Sequence, residues 1–250
     1  MSMAKTVLIT GASSGIGYHL ALEFAARGYN LALIARREFA LQELKKNISE
    51  RFTKCQVITY TLDITCYNEI APVLNDMEKT LGRIDIVIAG AGIGGNIGHV
   101  GSGHFQTDIS VIETNLIGAM ATIDAAVSIF RRNERGQVVT VSSIAAYRGL
   151  PGAAAYSASK AAISVYTDSV RSELYGSPIK VTTLFPGYID TPINQEITRR
   201  PFLISAPKGA RIMADLIEKG VESATIPLYP WTVVKYLLRV LPNYLLNKII

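Results

Sequence analysis

Cysteine is nearly absent from this 250-residue chain: Cys55 and Cys66 are the only two. Two thiols cannot build a disulfide framework, so a reduced compartment and a fold held by its core are expected. Histidine is almost as scarce. His19, His99 and His104 have no metal-ligand spacing with those cysteines, and no metal site is expected. Charged residues reach only 18% against 49% hydrophobic, which leaves ample material for a buried core. No run approaches the roughly 18 apolar residues of a spanning helix. The early apolar run at 6–10 meets Gly11 too soon to be a signal-peptide core. A net charge of +5 is modest, and no basic stripe alternates with aromatics, so nucleic acid is not an expected partner. A cytoplasmic protein is the expectation. Pro/Ser-rich linkers, internal repeats and charge blocks are also missing, which favours one domain over two.

What is present is alternation. Short β-branched runs at 6–10, 30–35, 56–62, 84–89, 137–142, 180–185 and 224–229 are almost continuously apolar, as strands buried on both faces should be. Helical patterns separate them near 15–27, 38–50, 66–81, 108–133, 155–175 and 207–220. Alternation of this kind predicts an α/β fold, a doubly wound parallel sheet of about seven strands with helices on both faces. Ligands of such sheets bind beyond the carboxyl ends of the strands, so chemistry is expected just after them.

The first such place reads "TGASSGIG", with Gly11, Gly15 and Gly17 between the first strand and the first helix. Glycines there let backbone N–H groups approach a pyrophosphate at the positive end of the helix. The same residues match G-x-S-x-G, a hydrolase nucleophile elbow. That reading requires an earlier oxyanion strand and a late histidine, and the chain supplies neither.

The second place is "VSSIAAYRGLPGAAAYSASKAA". Tyr156 and Lys160 are four apart in a small-residue, helix-favouring stretch and so share one face. Ser143 lies just past a strand, where the following loop can return it to the phenol. A phenol titrates near pH 10, too high for easy proton exchange at neutrality. A cation about 6 Å away at an effective dielectric of about 20 is worth roughly 2–3 kcal/mol, or about two pKa units. Tyr156 is thereby predicted to be a general acid or base, with Ser143 orienting the substrate oxygen.

"TGASSGIG", "ETNLIG", "VSS", "YSASK" and "PGYIDT", in that order from about residue 5 to residue 192, resemble the short-chain dehydrogenase/reductase family. The resemblance implies a Rossmann fold and hydride transfer between a nicotinamide cofactor and a carbonyl or alcohol. It implies Ser143, Tyr156 and Lys160 as catalytic residues, with Asn115 holding a proton-relay water; Ser142 is the neighbouring rival for the serine role. For the cofactor it implies Gly11, Ser13, Ser14, Gly15, Ile16 and Gly17 in the turn. It adds Asp63 and Ile64 against the adenine, Ala91, Tyr156 and Lys160, and the nicotinamide segment Pro186, Gly187, Ile189 and Thr191. One departure stands out. The family commonly carries Asn-Asn-Ala-Gly after the fourth strand, and this chain has Ala89-Gly90-Ala91-Gly92, which removes side chains that usually tie neighbouring strands. The family also implies a homodimer or homotetramer.

An NAD site needs a carboxylate near the end of the second strand. Here that position is Ala35, and Arg36 and Arg37 follow, suited to gripping a 2′-phosphate. NADP(H) is therefore expected over NAD(H), although Glu38 is near and Ser14 stands where NADP-using relatives often carry a base. Residues 188–207 are the expected substrate lid of a domain spanning 1–229, and their apolar character suits an apolar carbonyl or alcohol. Residues 92–105 are expected to form a glycine-rich loop. The remaining 230–250, "PWTVVKYLLRVLPNYLLNKII", form an amphipathic segment interrupted by Pro242, suited to a partner subunit or to peripheral contact with a membrane. The expected activity is that of an NADP(H)-dependent oxidoreductase. The alternative is a dinucleotide-binding regulatory or scaffold protein without catalysis.

Overall fold

The computed structural model describes residues 4–95, 98–195 and 197–244. Positions 96–97 of the glycine-rich loop, 196 of the expected lid and 245–250 of the C-terminal segment lie outside the described residues.

Seven parallel strands form one sheet in the order β3-β2-β1-β4-β5-β6-β9. They are β1 (Thr6–Thr10), β2 (Asn30–Ala35), β3 (Val57–Thr61), β4 (Ile86–Ala89), β5 (Gly136–Val141), β6 (Ile179–Pro186) and β9 (Ser223–Ile226). Most of their residues are buried on both faces, which is why the sequence shows runs of Val, Ile and Leu rather than alternation. Helices α1 (Gly15–Ala26), α2 (Glu38–Arg51) and α7 (Ala206–Lys219) enclose one core layer around Leu20, Phe24, Leu41 and Met213. Helices α3 (Tyr67–Leu81), α5 (Ala119–Asn133) and α6 (Ala154–Glu173) enclose the other around Leu74, Ile123, Phe130 and Ile163. The predicted single α/β domain is the observed one. Strand order reverses between β1 and β4, which places a crevice beyond their carboxyl ends.

Three local differences from the sequence expectations matter. The helix expected at 108–133 is broken into α4 (Phe105–Ile112), a π-helical turn (Glu113–Gly118) and α5. The last strand stops at Ile226, because Pro227 has no N–H for the ladder, and α8 (Leu228–Val240) follows at once. Residues 188–207 carry two short strands that pair with each other, β7 (Ile189–Asp190) and β8 (Ile204–Ser205), pinning the two ends of the segment together. Helix α8 ends before Pro242, as expected, and packs on β9 and on the 3₁₀ turn Ile144–Tyr147.

Candidate active site

The glycine turn is built by close approach. Gly11 has φ +74, and a Cβ there would lie 2.6 Å from Ala91 Cα. A Cβ on Gly17 would lie 2.3 Å from the Gly11 carbonyl oxygen. Only glycine permits both contacts. The backbone N–H groups of Gly11 and Ala12 donate to the Ile34 carbonyl, at 2.8 and 3.2 Å, fixing the turn to β2. Helix α1 then starts at Gly15. Its Ser14 N-cap makes no side-chain capping bond and its first turn has no acid, so the positive helix end faces the cleft without an internal anion.

At the end of β2 the two arginines divide their partners. Arg37 donates through Nε and Nη2 to Ser13 Oγ at 3.3 and 3.1 Å. Arg36 Nη1 lies 3.4 Å from Asp63 Oδ2. Burial works against the Asp63 carboxylate, yet hydrogen bonds from Thr65 and the nearby Arg36 guanidinium hold it below the usual carboxylate range. Two guanidiniums, a serine hydroxyl and the glycine turn thus share one rim.

Ser143 caps the 3₁₀ turn. It has extended φ −164 and ψ 159, and its Oγ accepts from the Ala145 N–H at 3.1 Å. Ser142 and Ser143 point to opposite sides, as consecutive residues of extended backbone must. The Ser142 hydroxyl is spent on packing, at 3.0 Å from the Lys160 carbonyl and 2.7 Å from Ser164 Oγ. The Ser143 hydroxyl neighbours the Tyr156 phenol closely enough to draw its pKa down, and both line the same cleft. Four residues along α6, the Lys160 ammonium lies over the Tyr156 ring, 5.7 Å from its centroid, and donates to the Val141 carbonyl at 3.0 Å.

The charge balance differs from the sequence expectation. Burial pushes the Tyr156 phenol up; the Ser143 hydroxyl draws it back and the neighbouring Tyr188 adds to the rise. Burial also pushes Lys160 down to about 8. The expected lowering by the ammonium does not dominate, because the cation sits on the ring face and is itself 6% exposed, so both groups lose solvation together.

Asn115 is 1% exposed, inside the π-helical turn. Its Oδ1 accepts from the Ile93 N–H at 2.8 Å, and its Nδ2 donates to the Ile93 carbonyl at 2.9 Å and to Ser159 Oγ at 3.3 Å. One side chain therefore clamps the loop after β4 to α6. The missing family asparagines are answered by Thr10. Its Oγ1 lies 3.3 Å from the Ile88 carbonyl and accepts from the N–H groups of Gly90 and Ala91, at 3.2 and 3.4 Å.

One cleft collects these parts. Gly11, Ser13, Ser14, Gly15, Ile16, Gly17, Arg36, Arg37, Asp63, Ile64, Ala91, Ser143, Tyr156, Lys160, Pro186, Gly187, Ile189 and Thr191 all line it. Asn115 alone among the expected site residues stands behind the wall. The short chain dehydrogenase family model matches residues 5–201. The chain belongs to the short-chain dehydrogenase family. An uncharacterized oxidoreductase of Mycobacterium tuberculosis is 36% identical over 245 residues, covering 98% of this chain and 96% of the relative. An NADP-dependent 3-hydroxy acid dehydrogenase of Schizosaccharomyces pombe is 30% identical over 222 residues, covering 88% and 82%. The solved structure of levodione reductase superposes with a TM-score of 0.81 at 25% identity, covering 88% of this chain and 94% of that one.

In this short-chain dehydrogenase, sequence reasoning missed several residues of the site. Ile93, Thr114, Ile193 and Asn194 line the cleft. Tyr188 lies close enough to Tyr156 to shift it, and was readable only as the aromatic inside "PGYIDT". Trp231, the single tryptophan, is 3% exposed, and its indole fills the space where Gly187 lacks a Cβ.

Lys160 yields a stability prediction. Below pH 8 it is charged in the folded and the unfolded chain, and its desolvation is fully felt. Between about 8 and its ordinary 10.5 it is neutral when folded and still protonated when unfolded. The unfolded state then binds more protons, so stability rises with pH across that window. Without added nucleotide, Lys160→Met should gain about 2–3 kcal/mol relative to the parent on going from pH 10 to pH 7. Urea unfolding at both pH values checks it; a gap independent of pH refutes it.

Proposed function

We propose that the protein is an NADP(H)-dependent reductase of an apolar ketone or aldehyde, running in reverse as an alcohol dehydrogenase. The observation carrying this reading is the convergence of Ser143, Tyr156 and Lys160 on one cleft that begins at the glycine turn. The fit to a nicotinamide dinucleotide rests on the glycine turn lining the cleft at the start of α1, where no side-chain cap and no first-turn acid occupy the positive helix end. When bound, such a dinucleotide supplies the hydride for the carbonyl carbon. The residues of the chain do the rest. Gly11 to Gly17 receive the pyrophosphate, and Arg36 and Arg37 with Ser13 hold a 2′-phosphate. Asp63 and Ile64 meet the adenine, and Lys160 binds the ribose. Pro186, Gly187, Ile189 and Thr191 hold the nicotinamide end. Ser143 orients the substrate oxygen, and Tyr156 delivers the proton to it, leaving a secondary or primary alcohol. The Tyr156 phenol is protonated at neutral pH and can serve as that donor, and the Ser143 hydroxyl works against the rise that burial imposes on it. Asn115 holds the loop after β4 and a proton-relay water.

Support for NADP(H) comes from the paired arginines where an acid would read a ribose diol, and from the NADP dependence named in the S. pombe relative. Support for an apolar substrate comes from Ile193, Phe202 and Leu203 on residues 188–207, which act as the lid. Exposed Phe105, Ile117 and Val165 on the α4–α6 side support a homodimer or homotetramer.

A panel of ketones, aldehydes and secondary alcohols followed by nicotinamide absorbance tests the reading. Turnover with NADPH, strongest for apolar carbonyls, is the expected result. Tight NADPH binding without turnover across the panel would replace it with a dinucleotide-binding regulatory role.

A further inference from the structure

From Pro230 to Val240 helix α8 presents three different sides. Trp231 is buried toward the body of the protein. Val233, Tyr236, Leu237 and Val240, spaced i, i+3, i+4, i+7, point away from it and are 62%, 60%, 52% and 76% exposed. Tyr229 and Tyr244 stand at the two ends of this stripe, 80% and 65% exposed. The cations sit on the flank between. The Lys235 ammonium lies 5.8 Å from the Tyr147 ring centroid and the Arg239 guanidinium 5.1 Å. Arg148 reaches the same corner, donating to Asn243 Oδ1. Among the described residues no carboxylate pairs with Arg148, Lys235 or Arg239. The sequence contains no Asp or Glu from residue 223 onward.

We propose that this face is a docking surface for an anionic lipid bilayer, with α8 lying in the plane of the interface. An outward apolar stripe bounded by tyrosines enters the acyl boundary, while cations on its flank stay at headgroup depth. Charge complementarity selects this occupant over a second copy of the chain. A two-fold pairing through the same face would bring each cation toward its duplicates with no acid to answer them. The segment over the cleft reaches the same helix on its buried side. Exposed Phe202 packs edge-on against Trp231, with ring centroids 5.6 Å apart, and Leu203 is beside it. On the reductase reading above, docking sets the mouth of the cleft against a store of apolar carbonyl compounds.

Flotation of the full chain with extruded vesicles tests the surface without requiring turnover, so its outcome is separate from that of the substrate panel. Protein is expected to float with vesicles holding about one-third phosphatidylglycerol and to stay behind with phosphatidylcholine alone. Lys235→Gln with Arg239→Gln should lower partitioning about thirtyfold, about fivefold for each charge. Val233→Asp with Leu237→Asp should abolish it while the circular dichroism spectrum and turnover of a water-soluble carbonyl are kept. Wild-type protein that ignores anionic vesicles overturns the proposal, as does equal flotation of the aspartate variant. Loss of an oligomer in that variant, with no vesicle binding by the parent, assigns the face to a second copy instead and also overturns it.

Discussion

Tyr156→Phe should bind NADPH about as well as the parent and lose about 10²–10⁴-fold in turnover. The substitution removes one oxygen and keeps the ring. The ring carries the packing beneath the Lys160 ammonium, 5.7 Å from its centroid, so the cation keeps its neighbour. Lys160 also keeps its bond to the Val141 carbonyl, and the ribose end of the cleft is undisturbed. What disappears is the phenolic O–H beside Ser143 that would protonate the substrate oxygen. The loss should therefore fall on kcat, with the nucleotide dissociation constant unmoved. Nucleotide fluorescence titration beside steady-state turnover separates the two. A variant with near-normal kcat would reject Tyr156 as proton donor, while joint loss of binding and turnover would point to a damaged fold.

The second large effect is expected at the rim. Arg36→Asp together with Arg37→Ala should move the NADPH-to-NADH ratio of kcat/KM by about 10²-fold or more toward NADH. Two charge-assisted hydrogen bonds at about 1.5–3 kcal/mol each set that scale. The arginines have distinct duties. Arg37 is held at Ser13, beside the glycine turn, and its loss removes a donor without adding a charge. Among the described residues Arg36 is held only by Asp63 at 3.4 Å, on a side chain 57% exposed, which would leave it free to turn to an incoming phosphate. An aspartate at 36 offers an acceptor for the ribose diol and repels a 2′-phosphate. A parent enzyme that already prefers NADH, or a double variant with an unchanged ratio, would remove the NADP(H) assignment. Arg37→Ala alone should show an intermediate change.

Much of the site could be read in the sequence because its parts are local. The glycine turn needs only Gly11, Gly15 and Gly17 between a strand and a helix, and the structure puts them there with Gly11 at φ +74. The Tyr156–Lys160 pair needs only helical periodicity. The π-helical turn around Asn115 was not readable, since a single extra residue per turn leaves the apolar period of 108–133 almost unchanged. Nor was Thr10 readable as the substitute for the absent asparagines, because its partners Ile88, Gly90 and Ala91 are about 80 residues away in the chain.

By itself, then, the sequence determined the alternation of strands and helices, the glycine turn between the first strand and helix, and the single face shared by phenol and ammonium. These depend on interactions between residues a few positions apart. The resemblance already favoured Ser143 over Ser142, and tertiary structure alone supplied the physical reason: α6 packs on β5 in a register that consumes the Ser142 hydroxyl on Lys160 and Ser164. It also decided the titration of the pair. Whether a phenol and an ammonium four residues apart raise or lower one another depends on how much water both lose, and that is set by strands and loops that close over them from distant parts of the chain.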